Sequence, residues 1–388
     1  MTRRRFVHWL LWGALAIHAS IALVAVVRSP QHDSDLDNFY DIGTKAGRPY
    51  VDFPVEFPVG TIEAFRTIAP VAASRERFGV TIVLLNFAAN LTIVASLAWA
   101  WGIEAAACYM LVVAPILDLY LLRLDLWSTA LATFGVAAWR RDRRSTAAIA
   151  FVTGAAFKLW PLGFLPLLLV PSRGRVRVAP VATAIVSGVA LLCGWLWVAG
   201  ARGLYQVLTF RGARGWEVES TVGSVWMLIG RSSLRLENGA WRIGTMVGPT
   251  SVVLFALGAA PCLWMIWRGA RTGHLGTGWT GGLSALLVCS ALLSPQFTCW
   301  FAPAAGVAWA EGDSVVVVLS AIAVFLTNLE FKAFSVLLRG APRIMWLLVF
   351  RNLWLVVLAV AAGRLIARAP LGRSDSPQSP APPPAQSI

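Results

Sequence analysis

The sequence predicts an all-α polytopic membrane protein, a bundle of about 11 to 12 transmembrane helices. Hydrophobic residues make up 57% of the chain and charged residues only 13%, whereas an ordinary soluble domain has roughly a quarter charged residues. Apolar runs of about 20 residues, the length that crosses a bilayer as a helix, recur along the chain. Both observations argue against a soluble globular domain.

The first apolar run, residues 6–27, is predicted to be a transmembrane helix that stays in the protein. It follows the basic segment MTRRR and so has the outline of a secretory signal peptide. No small-residue cleavage site precedes RSPQHDSD, however, and many more apolar runs follow. We therefore interpret this run as an uncleaved first helix.

The chain carries 33 Lys and Arg against 19 Asp and Glu, a formal net charge of +14. In a multi-pass membrane protein such an excess usually reports topology, because Lys and Arg are retained on the cytoplasmic side. We favour this explanation over nucleic-acid binding and expect no nucleic-acid partner. The strongest inside signal is RRDRR at residues 140–144, and RRR at residues 3–5 gives a second.

These signals predict a single transmembrane domain, residues 1–365, in the plasma membrane, with both chain ends in the cytoplasm. Two longer segments, about residues 29–76 and 201–245, are expected outside the membrane on the extracytoplasmic face. Residues 366–388 are rich in Pro and Ser and have too few apolar residues to order themselves. We predict that they form a disordered cytoplasmic tail.

Residues 145–171 are apolar enough for one long helix, but a helical hairpin is the better prediction. A single helix would place the arginines of residues 140–144 and 173–177 on opposite sides of the membrane. It would also leave Lys158 in mid-bilayer, at a cost of several kcal/mol. A turn at KLWPLG, where Pro161 suits a break, puts both basic groups inside and Lys158 near the outer surface.

The cysteines and histidines give no sign of a metal centre or a disulfide framework. The five cysteines lie in or beside apolar runs without CxxC spacing, as small core residues do. The four histidines are scattered, which argues against a zinc site. We predict no protein-bound metal from these residues.

The first outer segment holds an unusual share of the acidic residues. Six of the 19 acids fall within residues 33–56, directly after the first apolar run. A solvated acidic loop is one interpretation. The other is general-base chemistry at the membrane surface, since Gly and Pro fix the backbone there and aromatic residues bring it to the interface. The acids are Asp33, Asp35, Asp37, Asp41, Asp52 and Glu56.

This segment resembles the first outer loop of the GT-C glycosyltransferases that use polyprenyl-phosphate sugars, and is most similar to glycosyltransferase family 87. The match is DLDNFYDIG…GRPYVDFPVEFPVG, with Val59 where a second proline is common in the family. The resemblance continues in family order at GAAFKLWPLGFLPLLL, at FRGARGWEVES and at LSPQFTCWFAP. Together these elements extend from residue 35 to about residue 303.

The resemblance implies a catalytic base in the first outer loop, at Asp35 or Asp37. We favour Asp35, because D-L-x-x-F sets this acid one helical turn before an aromatic residue, but the doublet leaves both open. Glu56 is expected to be a supporting carboxylate. The other residues that the family motifs assign to substrate binding are Tyr50, Lys158, Arg211, Arg214, Glu219 and Gln296.

Cations suit such a site, because the departing phosphate of the donor gains negative charge as the glycosidic bond breaks. Arginine also contacts phosphate in a bidentate manner. Each residue has a structural alternative. Lys158 would only extend to the interface, Arg211 and Arg214 would only pair with Glu217 and Glu219, and Gln296 would only cap a helix.

The implied function is the transfer of a sugar, most simply mannose, from a polyprenyl-phosphate donor to a lipid or glycan acceptor outside the cell. A membrane transporter or a flippase of lipid-linked glycan is the alternative, although the sequence shows no internal repeat. Nucleotide-sugar use is disfavoured by the lack of a Gly-rich phosphate loop. The resemblance implies no cofactor beyond the lipid-linked donor, and assistance by a divalent metal stays an open alternative.

Overall fold

The computed structural model describes residues 3–28, 34–171, 175–230, 233–245 and 250–371. Within these ranges the chain is mainly helical. The first half contains α1 (Arg3–Arg28), α2 (Ser34–Thr44), α3 (Val59–Ala72), α4 (Arg75–Trp101), α5 (Ile103–Val113), α6 (Leu117–Leu121), α7 (Asp125–Arg140) and α8 (Arg144–Ala155). The second half contains α9 (Val178–Leu208), α10 (Thr221–Leu228), α11 (Thr250–Thr272), α12 (Leu275–Val288), α13 (Ala302–Ala310), α14 (Ser314–Lys332), α15 (Phe334–Leu338) and α16 (Pro342–Arg368).

Seven helical segments in the described part of the chain are long and apolar enough to cross a bilayer. Large apolar side chains on these helices are exposed, among them Trp197 on α9 and Trp9 on α1. Such a surface suits lipid, because soluble proteins rarely expose apolar patches of this extent. The prediction of a helical multi-pass membrane protein is confirmed. The seven segments are Phe6–Arg28, Arg75–Trp101, Ile103–Leu121, Val178–Leu208, Thr250–Thr272, Ser314–Lys332 and Pro342–Arg368.

The predicted count of 11 to 12 transmembrane helices includes shorter elements. The other predicted spans coincide with α7, α8, α12 and α13, of 9 to 16 residues, and with the 3-10 segment Trp160–Leu169. At about 1.5 Å per residue none of these alone covers the roughly 30 Å of a bilayer core. The apolar runs were therefore located correctly, but five of them form short helical elements.

The hairpin predicted for residues 145–171 is confirmed. α8 is followed by a turn and then by the segment Trp160–Leu169, which runs back beside it. Arg144 Nη1 at the start of α8 donates a hydrogen bond of 2.5 Å to the carbonyl of Val170. The two ends of the hairpin therefore lie at the same end of the bundle.

α12 lies at the centre of the bundle, where glycines allow close helix packing. A Cβ atom added at Gly278 would collide with the carbonyl of Met265 on α11, and one added at Gly276 would collide with the backbone of Ala308 on α13. Small residues at such interfaces allow helix backbones to approach closely in membranes. α12 is accordingly buried on several sides, whereas α9 is mostly exposed.

α4 connects two opposite ends of the bundle. Arg75 at its first residue lies 3.3 Å from Asp37, and the carbonyl of Trp99 near its last turn accepts a hydrogen bond of 3.0 Å from Arg141. A helix of 27 residues spans about 40 Å. We call the end with Asp37 the loop end and the end with Arg141 the arginine end.

A small β-sheet lies in the second long segment, and the prediction of an all-α fold missed it. β1 (Trp216–Glu217), β2 (Arg235–Glu237) and β3 (Ala240–Ile243) form an antiparallel sheet of order β1-β3-β2. The turn between β2 and β3 is Asn238-Gly239, and both residues have positive φ, 53° and 79°. Asn-Gly is the preferred sequence of a two-residue hairpin turn, because both positions require positive φ.

The predicted C-terminal boundary lies close to the end of α16, and the predicted tail lies mostly outside the described residues. α16 continues to Arg368, three residues beyond the limit of 365 predicted for the transmembrane domain. Residues 372–388, most of the predicted tail, lie outside the described residues. The same is true of Asp33.

Candidate functional site

The acids Asp35 and Asp37 lie on α2, a short amphipathic helix at the loop end. α2 buries Leu36 and Phe39, and Phe39 stacks on Phe65 of α3 with 5.0 Å between ring centroids. The apolar positions follow helical spacing, so one face is fixed against the bundle and the acids lie off that face. The predicted membrane-surface segment thus folds as a helix rather than as an irregular loop.

The two acids have different partners. Asp35 Oδ2 lies 2.8 Å from Arg123 Nε, whereas Asp37 Oδ1 lies 3.3 Å from Arg75 Nη1. Asp35 is also electrostatically coupled to Glu56. The side chain of Asp35 is 41% exposed, so water can reach it. The structure therefore separates the doublet: Asp35 lies beside Glu56, and Asp37 lies towards α4.

The segment DFPVEFP is held on both sides of Glu56. The hydroxyl of Tyr50 donates a hydrogen bond of 2.7 Å to the carbonyl of Phe57. Gln206, near the end of α9, accepts a hydrogen bond from the N–H of Val55 (3.0 Å) and donates one to the carbonyl of Tyr50 (2.9 Å). Tyr50 is only 1% exposed. Tyr50 therefore helps to hold this segment in position through its hydroxyl and its backbone carbonyl.

Glu56 forms an ion pair with Arg211, a residue of the second long segment. Glu56 Oε2 and Arg211 Nη2 are 2.5 Å apart. Arg211 has a positive φ of 59°, an uncommon conformation for a residue other than glycine. Its buried Nε atom has no hydrogen-bond partner among the described residues. The guanidinium group therefore retains a donor that the protein leaves unsatisfied.

Lys158 is held in a largely buried position at the tip of the hairpin. Its Nζ lies 3.4 Å from Asp125 Oδ1, and its side chain is 20% exposed. Trp300 Nε1 donates a hydrogen bond of 2.9 Å to the same carboxylate. The ring of Phe297 lies 5.1 Å from the lysine Nζ, within range of a cation–π contact. Lys158 therefore does not extend to the interface as a snorkelling side chain.

Glu56 lies at the centre of the charged groups. Burial raises the pKa of Glu56, and the charges of Arg211, Lys158 and Arg242 oppose that rise, while Asp35 adds to it. We define the loop-end charge cluster as Glu56 with these neighbours and their direct partners. It contains four basic and three acidic side chains: Arg123, Lys158, Arg211, Arg242, Asp35, Glu56 and Asp125. Glu217, the acid that acts most strongly on Arg242, adjoins the cluster and balances the fourth basic group.

A cavity of about 330 Å³ opens beside this cluster. One face of α2 lines it through Asn38 and Ile42, and Lys45 lines it directly after the end of α2. Glu56 and Arg211 line the opposite side, together with Phe53 and Phe57. Asp35 lies one turn before Asn38 on the same face of α2. The cavity therefore offers charged groups, aromatic rings and a nearby accessible carboxylate.

Of the predicted site residues, only Glu56 and Arg211 line the cavity. Arg214, Gln296 and Glu219 also lie outside the loop-end charge cluster. Arg214 is exposed, and its backbone N–H donates a hydrogen bond of 2.7 Å to Glu237. Gln296 accepts a hydrogen bond of 2.8 Å from the hydroxyl of Ser294. The 3-10 helix Pro295–Trp300 has no side-chain cap at its start, so this bond is not the helix cap considered for Gln296. Glu219 is buried elsewhere at the loop end.

Three residues of the cluster were missed by sequence reasoning. Asp125 and Arg123 lie in LDLYLLRLDLWS, which the sequence analysis treated only as a turn leading to the next span. Charged residues beside apolar runs are costly and so indicate a function or a partner, and this signal was present. Arg242 lies on β3, within the sheet that the helical prediction did not include.

The described residues contain no group of three or more His, Cys, Asp or Glu that could hold a metal ion. Comparisons with models of protein families and with curated proteins found no match. The fold itself defines the class of the protein: a helical membrane protein with several transmembrane segments. What the loop-end charge cluster does has to be argued from its geometry.

Proposed function

We propose that the protein is an integral membrane glycosyltransferase that moves a sugar from a polyprenyl-phosphate donor to a lipid or glycan acceptor. The observation that carries the proposal is the convergence of four distant segments. Glu56, Lys158, Arg211 and Phe297 belong to the four elements that resemble the GT-C family, and they meet in one place. Residues this far apart in sequence have no reason to converge as charged groups unless the site has a use.

The donor phosphate suits the charge of the cluster. A sugar linked to a polyprenyl phosphate is a phosphodiester with one negative charge, and the cluster brings several basic side chains together beside the cavity. The unsatisfied Nε of Arg211 is a donor for a phosphate oxygen. As the anomeric C–O bond breaks, the leaving phosphate gains charge, and Arg211 and Lys158 stabilise it.

The cavity suits the sugar. Its volume of about 330 Å³ is at the lower end of the roughly 300–1,000 Å³ of small-molecule sites. Phe53 and Phe57 line it, and aromatic rings can pack against the apolar face of a sugar. The polyprenyl chain of the donor would lie along the apolar surface of the bundle. We propose mannose as the sugar, on the resemblance alone.

Asp35 is the proposed general base. The acceptor hydroxyl attacks the anomeric carbon, the bond to the donor phosphate oxygen breaks with its electron pair, and Asp35 takes the hydroxyl proton. Its exposed position beside Glu56 lets an acceptor approach from water or from the interface. Glu56 holds Arg211 in place at the phosphate.

We propose that the loop end faces the outside of the plasma membrane and the arginine end faces the cytoplasm. The arginines of residues 140–144 support this orientation, because basic residues are retained inside. Both chain ends would then be cytoplasmic. The donor would be used on the extracytoplasmic face.

The experiment that tests the proposal is a transfer assay in membranes that contain the protein. A panel of radiolabelled polyprenyl-phosphate sugars is supplied, and the label that moves into lipid or glycan is measured. Transfer that depends on the protein supports the proposal and identifies the sugar. If no member of the panel gives transfer while the protein is folded and inserted, the proposal fails.

A transporter or flippase of lipid-linked glycan is the second candidate. It is favoured by Glu330 on α14 and Arg351 on α16, which are both buried within candidate membrane spans. Buried ionisable groups of this kind mark transport pathways and proton relays. In proteoliposomes, movement of labelled lipid-linked sugar across the bilayer without a new glycosidic product would identify this activity.

A further inference from the structure

A second cavity opens at the arginine end of the bundle, where the proposed transfer reaction has no use for it. Its volume is about 320 Å³, and residues at the start of α8 and at the start of α9 line it. The charged lining residues in the described part of the chain are Asp142, Arg143, Arg144 and Arg177, so the arginines outnumber the acid three to one. A concave surface lined in this way attracts anions. We call it the arginine cavity.

Asp142 holds two of these arginines together. Its Oδ1 lies 3.3 Å from Arg144 Nε, and its Oδ2 lies 2.8 Å from Arg177 Nη2. Arg144 is the first residue of α8, and Arg177 directly precedes α9. Asp142 has a positive φ of 61°, a conformation that few residues other than glycine adopt. One carboxylate thus joins guanidinium groups from two helices, and it can neutralise only one of their two charges.

Arg144 is buried in the wall of the arginine cavity. Its side chain is 8% exposed, and its Nη1 donates a hydrogen bond of 2.5 Å to the carbonyl of Val170. Its Nε is buried and makes no hydrogen bond to a described residue, although Asp142 lies near it. An arginine that only marks the cytoplasmic side needs no such burial, since an exposed one is retained equally well. A buried donor without an acceptor is unfavourable, so a ligand oxygen would satisfy it.

The backbone of α8 adds further donors to the arginine cavity. α8 has 12 residues and begins without a side-chain cap. The N–H groups in the first turn of a helix have no acceptor within the helix, and the helix dipole favours an anion beside them. Ser145 and Thr146 of this turn line the cavity. A phosphate group can accept hydrogen bonds from arginine side chains and from such N–H groups at the same time.

The surroundings of the arginine cavity favour a lipid as the source of the phosphate. Val178, which follows Arg177, and Ile149, one helical turn after Ser145 on α8, are both exposed apolar residues. Most of α9 is likewise exposed, and α9 is a candidate membrane span. An apolar surface therefore begins directly beside the charged groups. A ligand with a phosphate group and hydrocarbon chains would be in contact with both.

We propose that the arginine cavity binds the phosphate group of an anionic membrane lipid, whose hydrocarbon chains lie along α8 and α9. Arg144, Arg177 and the first N–H groups of α8 are the donors to the phosphate oxygens. The cavity lies at the opposite end of the bundle from the loop-end charge cluster. The bound lipid is therefore neither the donor nor the acceptor of the proposed transfer, and its binding does not depend on that activity.

The test is native mass spectrometry of the full-length protein, titrated in detergent with phosphatidylglycerol. We expect Arg177→Gln to weaken binding of the first lipid about tenfold or more, the effect of losing one charge-assisted hydrogen bond. Arg140→Gln removes an exposed arginine of the same end that does not line the cavity, and it should bind as the wild type does. Equal weakening in both variants, or none in Arg177→Gln, overturns the proposal, because the arginines then act only as general surface charge.

A second variant covers the case in which Arg177→Gln does not fold. Thr146 is exposed in the first turn of α8, where an acidic residue stabilises a helix. Thr146→Glu should therefore fold, and its carboxylate should prevent binding of the first lipid by occupying the place of the phosphate. Thr146→Gln is the uncharged control and should bind more tightly than Thr146→Glu. Wild-type affinity in Thr146→Glu contradicts the proposal.

Separate titrations with phosphatidylcholine and with inorganic phosphate identify the source of the phosphate. Phosphatidylcholine should bind more weakly than phosphatidylglycerol, because its choline cation offsets the phosphate charge. Inorganic phosphate should also bind more weakly, because it has no hydrocarbon chains. Equal binding of phosphatidylcholine would show that the cavity does not select an anion. Inorganic phosphate that binds as tightly as phosphatidylglycerol, and is lost in Arg177→Gln, would overturn the assignment to a lipid.

Discussion

Lys158 and Asp125 form an ion pair across the hairpin and α7, with 3.4 Å between Nζ and Oδ1, and Asp125 is only 3% exposed. Each charge compensates the other in a site closed by Trp300 and Phe297. A lone buried charge is unfavourable, so the pair allows a lysine to be kept at this depth. The positive charge of Lys158 near Glu56 therefore depends on Asp125 as well as on the lysine itself.

Removal of one partner of this pair should destabilise the protein. We expect Lys158→Met to cost about 3–5 kcal/mol in the free energy of unfolding, because Asp125 is left buried without a counter-ion. Lys158→Met combined with Asp125→Asn should recover most of that loss. Thermal unfolding in detergent measures both. Lys332→Met, at an exposed position, is the matched control and should change little.

The same double variant separates stability from donor binding. If Lys158 contacts the donor phosphate, the stable double variant should still bind a polyprenyl-phosphate sugar more weakly than the wild type. Binding to the purified protein is measured at equal folded fraction. Unchanged donor affinity would assign Lys158 to structure alone.

The acids of α2 should differ in their effect on turnover. Loss of a general base typically costs 10²- to 10⁴-fold in rate, so we expect this loss for Asp35→Asn with little change in expression. Asp37→Asn, which faces Arg75, should cost less than about tenfold, since exposed ion pairs contribute little. Sugar transfer in membranes measures both.

If Asp37→Asn has the severe effect and Asp35→Asn the mild one, the proposed mechanism stands, but Asp37 rather than Asp35 is the general base. Glu56→Gln adds a third comparison, because its loss releases Arg211 from its ion pair. Near-normal transfer in all three variants would show that α2 and its following segment do no acid–base chemistry.

Tyr50→Phe tests whether this residue binds substrate or positions the segment around Glu56. The variant loses one hydrogen bond, from the hydroxyl to the carbonyl of Phe57, which should cost about 1–3 kcal/mol in stability because a buried acceptor loses its partner. Tyr205→Phe, at an exposed residue, is the control. A variant of normal stability with weakened donor binding would restore the substrate-binding role.

The two ends of the bundle should be reached from opposite sides of the membrane. In a background without cysteine, Asn38→Cys at the loop end and Thr146→Cys at the arginine end are both at exposed positions. An impermeant thiol reagent added to intact cells should label position 38 and not position 146. Labelling of position 38 only after the cells are opened contradicts the proposed orientation.

Glu311 gives a pH prediction at the arginine end. Burial raises the pKa of Glu311 to about 8, although it accepts a hydrogen bond of 2.8 Å from the N–H of Gly276. Its protonated form is favoured on folding, so this stabilisation is complete below pH ~4.5 and is lost as the pH rises through about 8. Glu311→Gln should therefore gain in melting temperature relative to the wild type between pH 6 and 9. A constant difference over that range would contradict the shift.

Hydropathy was sufficient to place the membrane helices, because each apolar run had to leave water. The hairpin was predicted from the cost of placing Lys158 in mid-bilayer, and the structure shows that Arg144 closes it by a hydrogen bond to the carbonyl of Val170. Span length was less predictable, since proline and glycine end helices inside apolar runs. The convergence of Glu56, Lys158 and Arg211 depends on tertiary packing, so only the resemblance suggested it.

Other parts of the site needed the structure. Sequence reasoning included Asp125 only in a turn, because its partner Lys158 is 33 residues away and nothing local joins them. Glu219 was grouped with the substrate-binding residues, yet it lies with Glu330 and Arg351 from two later helices. The Asn238-Gly239 turn was a local signal and could have predicted the sheet.

The contacts of Gln206 limit how segments can be exchanged between two proteins of this type in a chimera. Its amide bonds two backbone groups of the first long segment, at Tyr50 and Val55, from a position beyond the break of α9 at Gly200. A Cβ atom added at Gly203 would lie 3.1 Å from the ring of Tyr50. The two segments thus form one structural unit. Consider a chimera that takes residues 34–72 from another protein but keeps residues 199–211 of this one. It loses both hydrogen bonds of Gln206 and the close packing of Gly203 against Tyr50. Glu56 is then misplaced even when every acidic residue is retained.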